Sequence, residues 1–253
     1  MRAACGRGER GERPRRYHRF VAGTLLIDQD PTQAMPSLLP QPTIVEQAYG
    51  AILDAICEGR LEPGERLTQE SVAAKLSVSR QPVGQALLLL RRQKFLVEAG
   101  RRGLMVAPLD REFLRQIYEL RLGIDPMASS LAAKHADAAA RTRGEAILVE
   151  GHRAARENEI PQLIRADMAF HMLIYELSGN CLFVDTMGQL WNHLRRAMRE
   201  VLQHVDYRKA IWVEHERILK AVLSRDSVAA AALARAHLFH AAENVRIVLP
   251  TAD

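Results

Sequence analysis

Aromatic residues are scarce in this sequence, at 5% of 253 positions, while leucine and alanine abound. That balance disfavours sheets, whose strands draw on aromatic and β-branched side chains, and points to helices. Long hydrophobic runs are missing too. The longest, "VAAAALA" at Val228 to Ala234, falls far below the roughly 20 residues of a membrane-spanning helix. No apolar export segment follows the basic start, so a cytoplasmic protein without a membrane partner is expected. There are only three cysteines, Cys5, Cys57 and Cys181. Their scatter fits neither a disulfide scaffold nor a zinc knuckle, and reduced thiols are expected.

Strong charge of one sign is also absent once the net +5 is located. Residues 1–20 hold seven arginines against two glutamates and carry all of it. Residues 21–40 hold two acids, residues 41–108 nine cations against seven acids, and residues 109–253 nineteen of each. An Arg/Gly-rich tail cannot bury enough apolar surface to order itself. Residues 1–40 are therefore expected as a disordered basic tail with no assigned function, and Met35 would make an equally sensible start.

What is present begins after Pro42. Thr43 and Glu46 form a capping-box pattern, and Ile44, Ala48, Ile52 and Ile56 repeat every four residues up to Gly59. "RLEPGERL" then supplies a Pro-Gly turn and a short extended segment. Thr68 can cap a second helix with Val72, Ala73 and Leu76 inward. Ser79 can cap a third with Val83, Ala86, Leu87 and Leu90 inward, and Pro82 is tolerated in its first turn. "FLVEA" and "LMVA" read as two strands joined by the turn "GRRG". Three helices and a β-hairpin make a winged helix-turn-helix over residues 41–108. Its third helix would enter the major groove of double-stranded DNA, and Arg101 and Arg102 at the wing tip would reach phosphates or the minor groove.

The stretch from Gly59 to Val106 resembles the DNA-binding domain of GntR-type bacterial transcription regulators. The matching residues are L-x-P-G-x-x-L, then "LSVSRQPVGQAL", then a short wing ending in Gly103. The resemblance implies DNA contacts from Thr68 and Ser79 at the helix starts, Arg80 and Gln81 on the third helix, and Arg101, Arg102 and Gly103 in the wing. One position departs: Gly84 stands where the family usually has an arginine that contacts DNA. Gln85, next along, could compensate only partly.

Beyond "PLD" at Pro108 to Asp110 the chain reads as helix throughout, in segments near 110–134, 138–157, 160–178, 181–205, 207–225 and 226–248. Six helices with short connections imply an antiparallel bundle over residues 109–253, so the fold class is mainly α. In "RADMAFHMLIYELSGN", Phe170, Leu173, Ile174 and Leu177 form an apolar stripe. Asp167 and His171, four apart, border it. His215 shares a face with Trp212, Leu219 and Val222, and His237 with Leu233, Ala241 and Val248. A buried lone carboxylate or imidazolium is costly. One divalent cation ligated by Asp167, His171, His215 and His237 would settle all four groups. Satisfied core histidines and a plain Asp–His hydrogen bond are the alternatives, and periodicity leaves both open.

The segment from Asp110 resembles the FCD ligand-binding domain of the FadR subfamily, through "YELRLGIDPMASSLAA", "DMAFHMLIYELSGN", "EHERILKAVLSRD" and "ARAHL". Its six helices look like the VanR-type branch. The subfamily's metal set, an Asp and a His four apart and two later histidines, falls on Asp167, His171, His215 and His237. The resemblance implies one divalent ion per chain, zinc first, with nickel, manganese, cobalt or iron as alternatives. It also implies a homodimer that reads an inverted-repeat operator, most simply as a repressor released by a small organic acid. Arg121 is the candidate for the acid's carboxylate, against an inter-helix ion pair. Asn180 is a candidate pocket residue, against a plain helix end. Two rival readings stand beside the effector-controlled regulator: a metal-dependent hydrolase, and a DNA-binding protein whose metal is purely structural.

Overall fold

A computed structural model of the chain describes residues 41–100, 103–203 and 205–248. The basic tail of residues 1–40, Arg101 and Arg102 lie outside the described residues.

Helix α1 (Ile44–Cys57) starts where the capping box places it. Glu46 N donates to Thr43 Oγ1 at 3.2 Å, and Thr43 N donates to Glu46 Oε2 at 2.7 Å. Helix α2 (Gln69–Leu76) is capped by Thr68, whose Oγ1 accepts from Ser71 N at 3.1 Å. Helix α3 (Arg80–Arg92) begins after Ser79, with Pro82 in its first turn, where no intrahelical N–H is lost. The apolar positions expected from periodicity do close the core. Val83, Ala86, Leu87 and Leu90 of α3 cluster with Ala48, Ile52 and Ile56 of α1, and Phe95, Leu96 and Val106 cover them.

The wing has one strand more than the hairpin expected from sequence. Strands β1 (Arg66–Leu67), β2 (Leu96–Glu98) and β3 (Leu104–Val106) form an antiparallel sheet in the order β1-β3-β2. Arg66 pairs with Met105 and Leu67 with Leu104. The extended part of "RLEPGERL" is thus a two-residue strand, too short for alternation to reveal.

The second core belongs to six helices: α4 (Arg111–His135), α5 (Ala138–Glu157), α6 (Ile160–Leu177), α7 (Cys181–Val201), α8 (Val205–Leu223) and α9 (Ser227–Val248). Helices α4 and α5 start on polar caps. Asp110 Oδ1 accepts from Phe113 N at 2.9 Å, and Asp137 Oδ1 from Ala140 N at 2.7 Å. Pro126 sits inside α4, so the helix continues past a missing donor that would break an isolated helix. Burial of Ala128, Ala132 and Ala133 in the bundle holds it there. No helix among the described residues is long and apolar enough to cross a membrane.

Helix α7 ties the two cores together. His193 stacks on Phe95 of the winged helix, with ring centroids 4.1 Å apart and an interplanar angle of 11°, and meets the edge of Phe113. Arg196 Nη2 donates to the Ala107 carbonyl at 2.6 Å, and Arg195 Nη2 pairs with Asp54 of α1 at 2.9 Å.

Burial, and next the charge of Arg196, lower the His193 imidazole from 6.5 to about 4. Below 6.5 the unfolded chain takes a proton that the folded one refuses until about pH 4, so stability is lost as pH falls through that window. Melting temperature should therefore drop between pH 7 and pH 5, and His193→Phe, which keeps the stack, should drop less. A second test concerns the bundle. A Cβ at Gly151 of α5 would fall within the Trp212 ring of α8. Gly151→Ala gains about 1 kcal/mol of helix propensity, but overpacking costs about 1–3 kcal/mol or more. Denaturant titration should give net destabilisation.

Candidate functional site

Three helices bring four titratable side chains to one point in the bundle. Phe170, Leu173 and Ile174 anchor the inner face of α6 and are nearly fully buried, which carries Asp167 and His171 inward beside them. Trp212, Leu219 and Val222 do the same for His215 on α8, and Ala234, Leu238 and Ala241 for His237 on α9. Relative exposures are 4% for Asp167, 5% for His171, 0% for His215 and 3% for His237. Nitrogens of the three imidazoles all lie within 4.8 Å of one another. Asp167 Oδ1 stands 3.5 Å from His215 Nε2. The four residues singled out by spacing therefore meet, across 70 residues of sequence.

The donor set suits a cation. Both ring nitrogens of His215 are buried without a hydrogen-bond partner among the described residues, a loss on the order of 1–3 kcal/mol for each orphaned group. His215 instead stacks on Phe170 at 4.2 Å. Burial pushes the Asp167 carboxyl up to about 6, with His237 and Arg121 acting against it. Burial also holds His171 and His215 well below their ordinary range, helped by the charge of Arg121 at His171 and by His237 at His215. Neutral His171 and His215 beside a carboxylate are the forms that ligate metal.

A carboxylate outside the cluster orients one of these rings. Glu214 Oε2 lies 2.8 Å from His237 Nδ1, and its Oε1 lies 2.6 Å from His240 Nδ1. A proton on His237 Nδ1 donated to Glu214 leaves Nε2 as a lone-pair donor. From sequence Glu214 reads only as a neighbour of His215; its real partner is on α9, which spacing along α8 cannot disclose.

The two effector candidates are placed differently, Arg121 at the cavity beside the histidines and Asn180 away from it. Arg121 is buried and already paired: its Nη2 and Nε reach Asp125 Oδ2 at 2.9 and 3.2 Å, and Asp125 Oδ1 accepts from Tyr175 Oη at 2.6 Å. The same Nη2 stands 3.2 Å from His171, and the guanidinium lies over the Trp191 ring. Its charge is balanced inside the protein rather than waiting for a ligand. Asn180 is the N-cap of α7, with Oδ1 accepting from Leu182 N at 3.1 Å. It does not line the cavity beside the histidines. Ser178 is the C-cap of α6 and Gly179 (φ +74°) reverses the chain, so "SGN" both ends one helix and starts the next. That cavity, lined by Tyr118, Arg121, Asp167, His171 and His237, measures about 20 Å³, room for about one water.

On the winged helix, a cleft of about 700 Å³ opens between the start of α2, one face of α3 and the wing. Thr68 spends its hydroxyl on the α2 cap, whereas Ser79 makes no side-chain cap bond. Arg80 is exposed and paired with Glu70 at 2.5 Å. Gln81 and Gln85 are exposed, and Gly103 (φ +136°) closes the wing.

Residues 44–106 match the gntR family of bacterial regulatory proteins, and residues 116–240 match the FCD domain. The uncharacterized HTH-type transcriptional regulator YdhC of Bacillus subtilis is 29% identical over 205 residues, covering 80% of this chain and 91% of that one. The HTH-type transcriptional repressor RspR of Escherichia coli is 24% identical over 209 residues, covering 83% and 92%. Among solved structures, E. coli McbR/YncC superposes with a TM-score of 0.73 at 19% identity, over 83% of this chain and all of that one. A putative GntR regulator from Rhodococcus gives 0.69 at 21%, over 79% and 96%. At those identities the likeness concerns the fold.

Removing the acid that balances Arg121 tests the buried pair. Asp125→Ala leaves an unpaired guanidinium in the bundle and should destabilise it by about 3–5 kcal/mol. A loss under about 1 kcal/mol by urea titration would mean that water reaches Arg121.

Proposed function

Because the chain is a DNA-binding transcription regulator that joins a gntR-family domain to an FCD domain, we propose that a divalent cation and a small carboxylate at the acid–histidine cluster govern its hold on DNA. One observation carries this reading: imidazoles from α6, α8 and α9 converge in a buried place where His215 has no hydrogen-bond partner, with Asp167 Oδ1 3.5 Å from its Nε2. Asp167, His171, His215 and His237 would hold the ion, zinc by preference and nickel, manganese, cobalt or iron as alternatives. In an octahedral ion, four protein ligands would leave positions that a carboxylate oxygen could take. The chain acts as a homodimer on an inverted-repeat operator in the cytoplasm, as a repressor that the carboxylate releases. Its relatives are transcription regulators and not enzymes, which sets the hydrolase reading aside.

The chain's own residues supply the coupling. A cavity of about 20 Å³ cannot take an organic acid unless the apolar side chains at its edge give way. Met198 and Val201 of α7 are among them. Two to eight residues earlier on that helix, His193, Arg195 and Arg196 grip the winged helix. Ligand entry therefore displaces the helix on which the DNA-binding domain rests. A differential affinity of about 1–3 kcal/mol between the two placements would change operator affinity about 5- to 150-fold.

Stripped protein titrated with zinc, nickel or manganese should bind one ion per chain, and chelation should lower its melting temperature. His215→Ala should bind none, and Glu214→Gln should bind about 10- to 100-fold more weakly. Gel shifts on upstream DNA with a panel of carboxylic acids complete the test. No ion bound by the wild type at millimolar metal would sink the reading. An ion bound while no acid alters the shift would leave the structural-metal alternative.

A further inference from the structure

The face of α3 that lines the 700 Å³ cleft carries Arg80, Gly84, Leu88 and Arg91 at successive turns. Both cations in that row are tied to acids: Arg80 to Glu70 and Arg91 to Glu98, at 2.5 and 2.9 Å. Between them Gly84 presents bare backbone. The space is taken by a residue of α2. A Cβ built on Gly84 would lie 3.1, 3.2 and 3.3 Å from Nε2, Cδ and Oε1 of Gln69, so the carboxamide lies close over the glycine. Gln69 is exposed, stands first in α2, and its carboxamide makes no hydrogen bond among the described residues. Gln85, adjacent in sequence to Gly84, does not line this cleft.

We propose that Gln69 reads a base at the middle of the recognition surface, taking the role that α3 itself leaves vacant at Gly84. The chemistry sets which base. A carboxamide offers one donor and one acceptor side by side, which match N7 and the N6 amino group of adenine in the major groove. A guanidinium from α3 would offer two donors and match guanine instead. Glycine leaves the amide this place, since a Cβ at 84 would meet it at 3.1–3.3 Å and Gln69 would have to shift. The consequence is an A·T pair in each half-site, opposite the centre of α3, whose reader sits on a different helix from Arg80 and Gln81. The inference rests on DNA binding by the winged helix alone and is independent of the metal and the effector.

The test is selection of bound sequences from a randomised DNA pool by the full chain, in wild-type, Gln69→Ala and Gln69→Glu forms. Affinity for the selected site and its single-base variants is then measured at one fixed salt concentration. The wild type should fix adenine at one position per half-site. Gln69→Ala should lose that preference, with a fall of about 5- to 150-fold for the adenine site, while other positions and nonspecific binding stay within twofold. Gln69→Glu, which accepts but does not donate, should turn the preference toward cytosine. Unchanged preferences in both variants would overturn the proposal. So would equal weakening on every sequence, which would make Gln69 a phosphate contact or a helix-start residue.

Discussion

Desolvation of four titratable groups constrains everything else in this bundle. Asp167, His171, His215 and His237 are removed from water by the same apolar stripes that hold α6, α8 and α9 together. A carboxylate in such surroundings moves toward neutrality, and an imidazole resists its proton. The protein compensates part of the set by itself. Arg121 is matched by Asp125 and faces His171, and Glu214 takes the outer nitrogen of His237. His215 has no such relief. The remaining deficit is positive charge aimed at Asp167 and at ring lone pairs, which the proposed cation would supply. The aromatic walls, Phe170 and Trp191 among them, keep the surroundings dry and so maintain the deficit.

The consequence reaches the DNA-binding half through α7. Its inner face closes the cavity with Met198 and Val201, and its other side binds Phe95, Ala107 and Asp54. A packed helix answers a push at one turn by moving as a body, because close-packed interiors transmit strain instead of absorbing it. For the proposed effector response the small cavity is an asset, since a site that already accommodated its ligand would have no reason to move.

Several helices were legible because two signals agreed there: apolar periodicity and a polar residue at the start. Thr43, Thr68, Ser79, Asp110 and Asp137 all stand at the N-caps of their helices. The convergence of Asp167, His171, His215 and His237 was legible as well, since each shares a face with residues that must be buried. What stayed hidden depended on how helices rotate against one another. Asp125 and Tyr175, 50 positions apart, meet only in the fold, and Glu214 turned out to serve α9. Arg121 with Asp125 is an i, i+4 pair that sequence does contain, yet its burial is not. Asn180 was ambiguous because a helix end and a helix start adjoin at "SGN". Strand β1 was too short to carry a period.

The DNA face carries the same balance of charge in a wetter place. Arg80 and Arg91 come with their own acids, Glu70 and Glu98, and the residue between them is neutral. Phosphates must therefore compete with carboxylates for guanidinium donors that a bare basic groove would give away freely. Exposed pairs of this kind are worth only about 0–1 kcal/mol each, so they do not forbid binding, but they subtract from the nonspecific electrostatic share. Affinity then leans more heavily on fitting the correct base sequence. In the proposed homodimer a shift of α7 would alter the spacing of the two DNA-binding domains, and a grip moderate in this way could be released by a coupling of about 1–3 kcal/mol.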